Sequence, residues 1–366
     1  MPPKSVRYLI DINGIVQGVG FRPFVYKLAQ ACGIRGWVNN FSGGVHIDAE
    51  GTEKSVSEFL RRLKEEKPPL SGIDSFSAKR AEPVGYSGFE IRESSASSVP
   101  SAFISADIAV CEDCLHEMNE PANRRYRYPF INCTNCGPRF TITSAIPYDR
   151  KNTTMRSFPM CKACSEEYND PEDRRFHAQP VACPECGPSL FLLDRLGNRL
   201  AEGVEIAKTL ELLNKGCIVA VKGLGGYHLA CDAMNFNAVK TLRKRKNRDG
   251  KPFALMAREL EMVKKYCFLN EQEAELLQSV KRPIVLLDKK PDSGLNCEYI
   301  SPDNDRLGIM LPYTPLHHLL LADGPELLVM TSGNISGEPI YYKDADALSG
   351  LSEIADYFLT NNREIL

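Results

Sequence analysis

Val6, Tyr8, Ile10 and Ile12 recur with a period of two near the start of the chain, as in a strand with one buried face. The period breaks at a glycine-rich turn, NGIVQGVGF, and resumes at helical spacing with Phe24, Leu28 and Ala31, Pro23 suiting the helix's first turn. A strand over 34–39, a tight FSGG turn and a strand over 45–49 follow. Val56, Phe59, Leu60 and Leu63 then line one face of a helix, with strands expected near Phe76 and Phe89. The order is βαββαβ over residues 5–92, an antiparallel sheet with helices on one face. A Ser-rich stretch from Arg92 to Ala102 has little to bury and reads as a boundary. From 103 to 190 cysteine pairs replace the periodic signal, and FLLDRLGNRL reads as a hairpin leading onward. In residues 200–366, Val204, Ala207, Leu210 and Leu213 predict a helix ended by Gly216, and CIVAVKGLGGYHLACDA predicts two buried strands around a glycine turn. An α+β multidomain chain with an α/β last domain is expected.

At 366 residues, 43% hydrophobic and 25% charged, the composition is that of two or three globular domains. The formal net charge of -2 argues against nucleic acid as a partner, because phosphate binding favours an excess of basic charge. No apolar run approaches the roughly 20 residues of a membrane span. MPPKSVRYLI runs directly into a strand and does not read as a targeting segment, so a cytoplasmic location is expected.

The cysteines change this picture most. CEDC, CTNC, CKAC and CPEC are separated by 18, 24 and 18 residues, and CEDCLHEMNEPANRRYRYPFINCTNCGPRF repeats 50 residues later as CKACSEEYNDPEDRRFHAQPVACPECGPSL. Two residues between cysteines let one turn offer two corners of a zinc tetrahedron, so two pairs close one site. Two structural zinc sites are expected from Cys111, Cys114, Cys133, Cys136, Cys161, Cys164, Cys183 and Cys186, with the sharing of pairs between sites left open. Disulfides fit a reducing compartment poorly, and a thioredoxin-like use needs one pair opening a helix, not four in a repeat. Tyr126, Tyr128, Phe130 and Phe176 are expected to fill small cores around the metals, and Cys32, Cys217, Cys231, Cys267 and Cys297 to act as buried small hydrophobes.

Gly14, Gly18 and Gly20 free the backbone before the first helix, so that N–H groups of Gln17, Gly18, Val19, Gly20 and Phe21 can converge on a phosphate, with Arg22 at the lip. VQGVGFRPF followed by GWVNNFSGGV resembles the acylphosphatase family, a ferredoxin-like fold. The resemblance implies that Arg22 holds the phosphoryl group and Asn40 orients the attacking water. Both roles make chemical sense, since a guanidinium grips a phosphoryl dianion in a fork and a neutral amide positions water without competing for that charge.

The last domain holds no P-loop. Its basic run, KTLRKRKNRDGK, is ordinarily a solvated face or a nucleic-acid patch, but TSGNISGEPI adds a strand-to-turn rich in small polar groups. KGLGGYHLACDA, the basic run and TSGN-x-SG together resemble the YrdC-like family, which adenylates a carbamate with ATP. That resemblance implies a nucleotide site at Lys246, Arg248, Lys251, Ser332 and Asn334. The chain departs from it in the spacing from Lys246 to Pro252 and in having Asp249 where a proline is usual. His228 beside the glycine turn, and the pair His317 and His318, are candidates for substrate contact, against the commoner role of histidines satisfied within a fold.

Acylphosphatase-like, doubled zinc-finger and YrdC-like modules in this order resemble the amino-terminal part of the HypF carbamoyltransferase family of [NiFe]-hydrogenase maturation. The resemblance implies carbamoyl phosphate and ATP with Mg2+ as substrates, a relay of carbamate between two sites that open onto a shared space, and a HypE-like protein whose terminal cysteine accepts the carbamoyl group. Since FLTNNREIL falls about where a transfer domain would begin, a fragment lacking that step is expected. Threonylcarbamoyl-adenylate synthesis, an RNA-binding zinc protein and an inactive zinc-stapled scaffold are the alternatives.

Overall fold

The computed structural model describes residues 5–95, 103–291 and 293–366, so residues 96–102 of the Ser-rich stretch lie outside the described residues. Two compact units emerge, one of Met1–Asp107, Asn132–Gly187 and Leu366, the other of Ile108–Ile131 and Pro188–Ile365.

In the first unit, β1 (Ser5–Ile15) is followed by α1 (Phe21–Cys32), β2 (Arg35–Phe41), β3 (Gly44–Thr52), α2 (Glu53–Glu65), β4 (Gly72–Ala81) and β5 (Phe89–Ile91). The strand order is β4-β1-β3-β2-β5, antiparallel except where β2 meets β5. Ile10, Ile12, Val38 and Ile47 from the sheet meet Val25, Leu28, Val56, Phe59 and Leu63 from the helices in one core. The helical register of α1 differs from that read in the sequence: Phe21, Val25 and Leu28 are buried, whereas Ala31 faces solvent. Thr52 caps α2 by accepting from the Ser55 N–H, and Arg62 pairs with Glu66 one turn on.

Short helices α3 (Glu112–Asn119) and α4 (Lys162–Asn169) each open one copy of the cysteine repeat. The copies share backbone geometry as well as sequence. Arg127 and His177, 50 residues apart, both have φ 54°, and their N–H groups donate to Met118 O and Tyr168 O, at 2.8 and 2.9 Å. Tyr128, Phe130 and Phe176 are buried, whereas Tyr126 is 43% exposed and does not join a core.

The second unit contains β6 (Leu190–Asp194), α5 (Glu205–Asn214), β7 (Val219–Lys222), β8 (Tyr227–Asp232), α6 (Phe236–Arg245), β9 (Ala254–Ala257), α7 (Leu260–Tyr266), α8 (Glu271–Gln278), β10 (Val285–Asp288), α9 (Cys297–Ile300), β11 (Arg306–Met310), α10 (Pro315–Ala322), β12 (Leu327–Ser332), α11 (Asp344–Leu351) and β13 (Tyr357–Asn361). Its sheet runs β10-β11-β9-β12-β8-β7-β13-β6, parallel at β11–β9 and β13–β7 and antiparallel elsewhere. β7 is buried at every position, the continuous apolar run of a strand covered on both faces. Val204 caps α5 from outside and is 56% exposed, and Ala207 also faces solvent, so the inward stripe keeps Leu210 and Leu213 of the expected set and adds Leu212. FLLD joins the sheet edge through β6, and an isolated bridge from Leu193 to Arg199 closes the expected hairpin. Among the described residues no helix is long and apolar enough to cross a membrane.

Candidate functional site

The first site is built at the N-terminus of α1. Gly18 and Gly20 adopt φ 72° and 74°, a left-handed conformation in which a side chain is strained, and a Cβ on Gly18 would lie 2.5 Å from Pro138. The curl they make places Arg22, 8% exposed, beside Asn40 of β2, 1% exposed. The Asn40 amide satisfies its surroundings when its oxygen faces Arg22, where it accepts from Nε and Nη2 at 3.2 Å each. A small cavity of about 20 Å³ lies here, lined by Gly18, Gly20, Phe21, Arg22 and Asn40 together with Thr134, Tyr148, His177 and Gln179. It has room for little more than a water-sized group.

Four of those lining residues come from the cysteine module, and nothing in their sequence context marked them. Arg22 forms an ion pair with Asp149 and donates to Tyr148 O at 3.4 Å. Gln17 also contributes through its side chain. Its side chain braces the turn, donating to Phe41 O and Gly44 O at 2.7 and 2.9 Å and accepting from the Tyr148 N–H at 2.9 Å. Burial, with Arg22 adding to it, pushes His177 down to about 4, so this wall is neutral at physiological pH.

The cysteines gather in adjacent pairs. Cys111, Cys114, Cys133 and Cys136 bring their sulfurs within 4.8 Å of one another, as do Cys161, Cys164, Cys183 and Cys186, which closes the question of a swapped pairing. In the second cluster, sulfur separations are 3.7 Å for Cys161–Cys183, 3.8 Å for Cys183–Cys186 and 3.6 Å for Cys164–Cys186. A zinc ion with bonds of about 2.3 Å to four thiolates needs tetrahedron edges near 3.8 Å, so the donor set fits. With four protein ligands each, such sites are structural. Of the other cysteines, Cys231 and Cys267 are buried, and Cys32, Cys217 and Cys297 only partly so.

The third site lies where α6 ends beside the turn after β12. Lys246, 1% exposed, donates through Nζ to Ser332 O, Asn334 O and Asn334 Oδ1 at 2.5, 2.7 and 2.7 Å, and Ser332 Oγ donates to Asn334 Oδ1. Burial and the nearby Arg248 push Lys246 down to about 8. Arg248 donates to Lys251 O and Pro252 O and lies over Phe253, while Lys251 itself is exposed. Much of the basic run turns inward: Arg243 reaches Tyr299 O, and Arg245 reaches Ile354 O and Asp356. This is not the exposed patch an RNA-binding surface requires. A network the sequence did not signal ties together the strand ends that flank the glycine turn. In it Lys222 pairs with Asp344 and donates to Asn361 O, and Tyr227 donates to Asp344.

Family models match as acylphosphatase over residues 8–91, as the HypF finger over 110–143 and 160–193, and as the Sua5/YciO/YrdC family, described as telomere recombination, over 211–366. The chain is 50% identical to carbamoyltransferase HypF2 of Cupriavidus necator, covering all of this chain and 47% of that protein. It is 51% identical to carbamoyltransferase HypF of a Synechocystis strain, over 98% of this chain and 46% of that one. A solved full-length HypF in a phosphate- and nucleotide-bound form matches at 51% identity and a TM-score of 0.95, over 100% of this chain and 48% of its own. The chain thus spans about half the length of the curated relatives it matches. With all three modules present and about half of the residues identical from end to end, the chain belongs to the HypF carbamoyltransferase family.

Proposed function

We propose that the cradle at Arg22 and Asn40 hydrolyses carbamoyl phosphate and that the site at Lys246, Ser332 and Asn334 activates the resulting carbamate with ATP. The observation that carries the reading is the buried Arg22–Asn40 pair facing a cavity at a glycine turn. Arg22 holds the phosphoryl oxygens, and the Gln17–Phe21 backbone supplies further donors. Asn40 orients water for attack on phosphorus, the P–O bond to the acyl group breaks, and carbamate and phosphate leave.

At the second site a carbamate oxygen bonds to the α-phosphorus of ATP, the bond from that phosphorus to the bridging oxygen breaks, and pyrophosphate leaves, giving carbamoyl adenylate. Lys246, Arg248 and Lys251 serve the phosphates, and the Ser332–Asn334 turn serves the nucleotide. Mg2+ would offset triphosphate charge. The carbamoyl group is destined for the terminal cysteine of a HypE-like acceptor, in making the cyanide ligand of [NiFe]-hydrogenase. Thiolate zinc sites and these two substrates suit a reducing cytoplasm.

The test is pyrophosphate release from ATP. It should require carbamoyl phosphate and vanish in Arg22→Ala. Release indifferent to carbamoyl phosphate would remove the proposed relay.

A further inference from the structure

A pair of histidines in the second unit lies beside the nucleotide turn and has buried ring nitrogens without partners. His228 sits on β8 directly opposite Ser332 of β12, the residue whose carbonyl receives Lys246. Its Nδ1 is buried and makes no hydrogen bond. His317, in the first turn of α10, is 1% exposed, and neither Nδ1 nor Nε2 has a partner. The two rings stand edge to face with centroids 6.3 Å apart, and Tyr313 packs on His317 at 4.5 Å. His318 follows, its Nε2 also unpartnered. Buried polar atoms in folded proteins are overwhelmingly satisfied, so unpartnered nitrogens on two neighbouring rings ask for a ligand.

We propose that His228 and His317 form the subsite that receives the carbamate for adenylation. The inference rests on the reading of the Lys246–Asn334 site as the adenylating site and names the residues that hold its second substrate. Carbamate is planar and carries both kinds of hydrogen-bonding group, an amino group that donates and a carboxylate that accepts. A neutral imidazole likewise has one donor and one acceptor, so a pair of them can accept from the amino group and donate to one carboxylate oxygen. The other carboxylate oxygen stays available to bond to the α-phosphorus. Neutrality matters chemically. Burial pushes His228 down to about 4 and His317 well below its ordinary value. An imidazolium could pass a proton to carbamate, which then falls apart into carbon dioxide and ammonia. It would also draw electron density from the attacking oxygen. Glycine at 223 keeps the approach open on the other side, since a Cβ there would stand 3.0 Å from His228 Nδ1.

Freshly dissolved ammonium carbamate, supplied directly with ATP and Mg2+, separates this subsite from the cradle. Pyrophosphate release should saturate with carbamate in the wild-type chain. His317→Leu should raise the carbamate KM at least about tenfold, the loss expected when one or two hydrogen bonds to a charged ligand vanish. ATP affinity and phosphate release from carbamoyl phosphate should hold steady. His317→Gln, which keeps a donor and an acceptor, should recover most of the loss, and acetate, which lacks the amino donor, should compete weakly. If His317→Leu does not fold, the half-buried His228→Asn decides, with the same expected shift. An unchanged carbamate KM in the folded variants overturns the subsite, as does a loss of ATP affinity in step with it. A wild-type chain that releases no pyrophosphate with carbamate overturns the adenylation reading, and this proposal with it.

Discussion

Arg22 and Asp149 form an ion pair at 3.0 Å, with only 9% and 15% of their side chains exposed. The carboxylate therefore occupies the guanidinium that a phosphoryl group would need. Both are anions seeking one fork, so ligand and Asp149 compete. In Asp149→Asn, inorganic phosphate should inhibit carbamoyl phosphate hydrolysis about tenfold more tightly, while the melting temperature falls because a buried charge loses its partner. Inhibition and melting curves measured together check this. Weaker inhibition by phosphate would mean that Asp149 orients Arg22 rather than competing for it.

Asn40→Ala should lower kcat for carbamoyl phosphate hydrolysis by about a hundredfold or more, with a smaller effect on KM, because its proposed role is to orient water in the transition state. Asn40→Asp should be worse in KM, since a second carboxylate would then press on Arg22. Steady-state kinetics of phosphate release distinguish the two.

Zinc content should be two per chain, and Cys183→Ser should reduce it to about one, with a fall in melting temperature, because a closed four-thiolate site contributes folding energy directly. Cys231→Ser, buried in the sheet core away from either cluster's ligand set, should leave the metal count unchanged. Elemental analysis after dialysis reads both.

Nucleotide binding should weaken in alkali. Lys246 is pushed down to about 8 by burial and Arg248, so it is charged at pH 7 and loses its proton near pH 8 instead of near its ordinary 10.5. The ATP dissociation constant should be flat below pH 7 and rise above 8 by at most about tenfold per unit, the limit for one proton. Between the two pKa values the unfolded chain holds a proton that the folded chain has lost, so this lysine makes folding stability rise with pH there. Lys246→Met should bind ATP weakly with little of this pH dependence, as calorimetric titration across pH 6.5–9.5 would reveal.

Local chemistry was legible in the residues themselves. C-x-x-C pairs in a 50-residue repeat specify thiolate clusters, because ligand spacing within a turn is a short-range property. The glycines before α1 and the alternation of β1 likewise depend on neighbours a few residues apart. Details that hinge on which face a helix buries were less secure, as Ala31 and Val204 show, since spacing defines a stripe but the packing partner chooses its centre. What tertiary structure alone decided is who meets whom across the chain. Tyr148 and Asp149 reach Arg22 from about 126 residues away, Asp344 reaches Lys222 across 122, and His317 comes to His228 from another element. Tyr148, Asp149 and Asp344 carry no periodic or spaced signal. Their proximity is set by how buried faces stack, and only the folded chain brings such faces together.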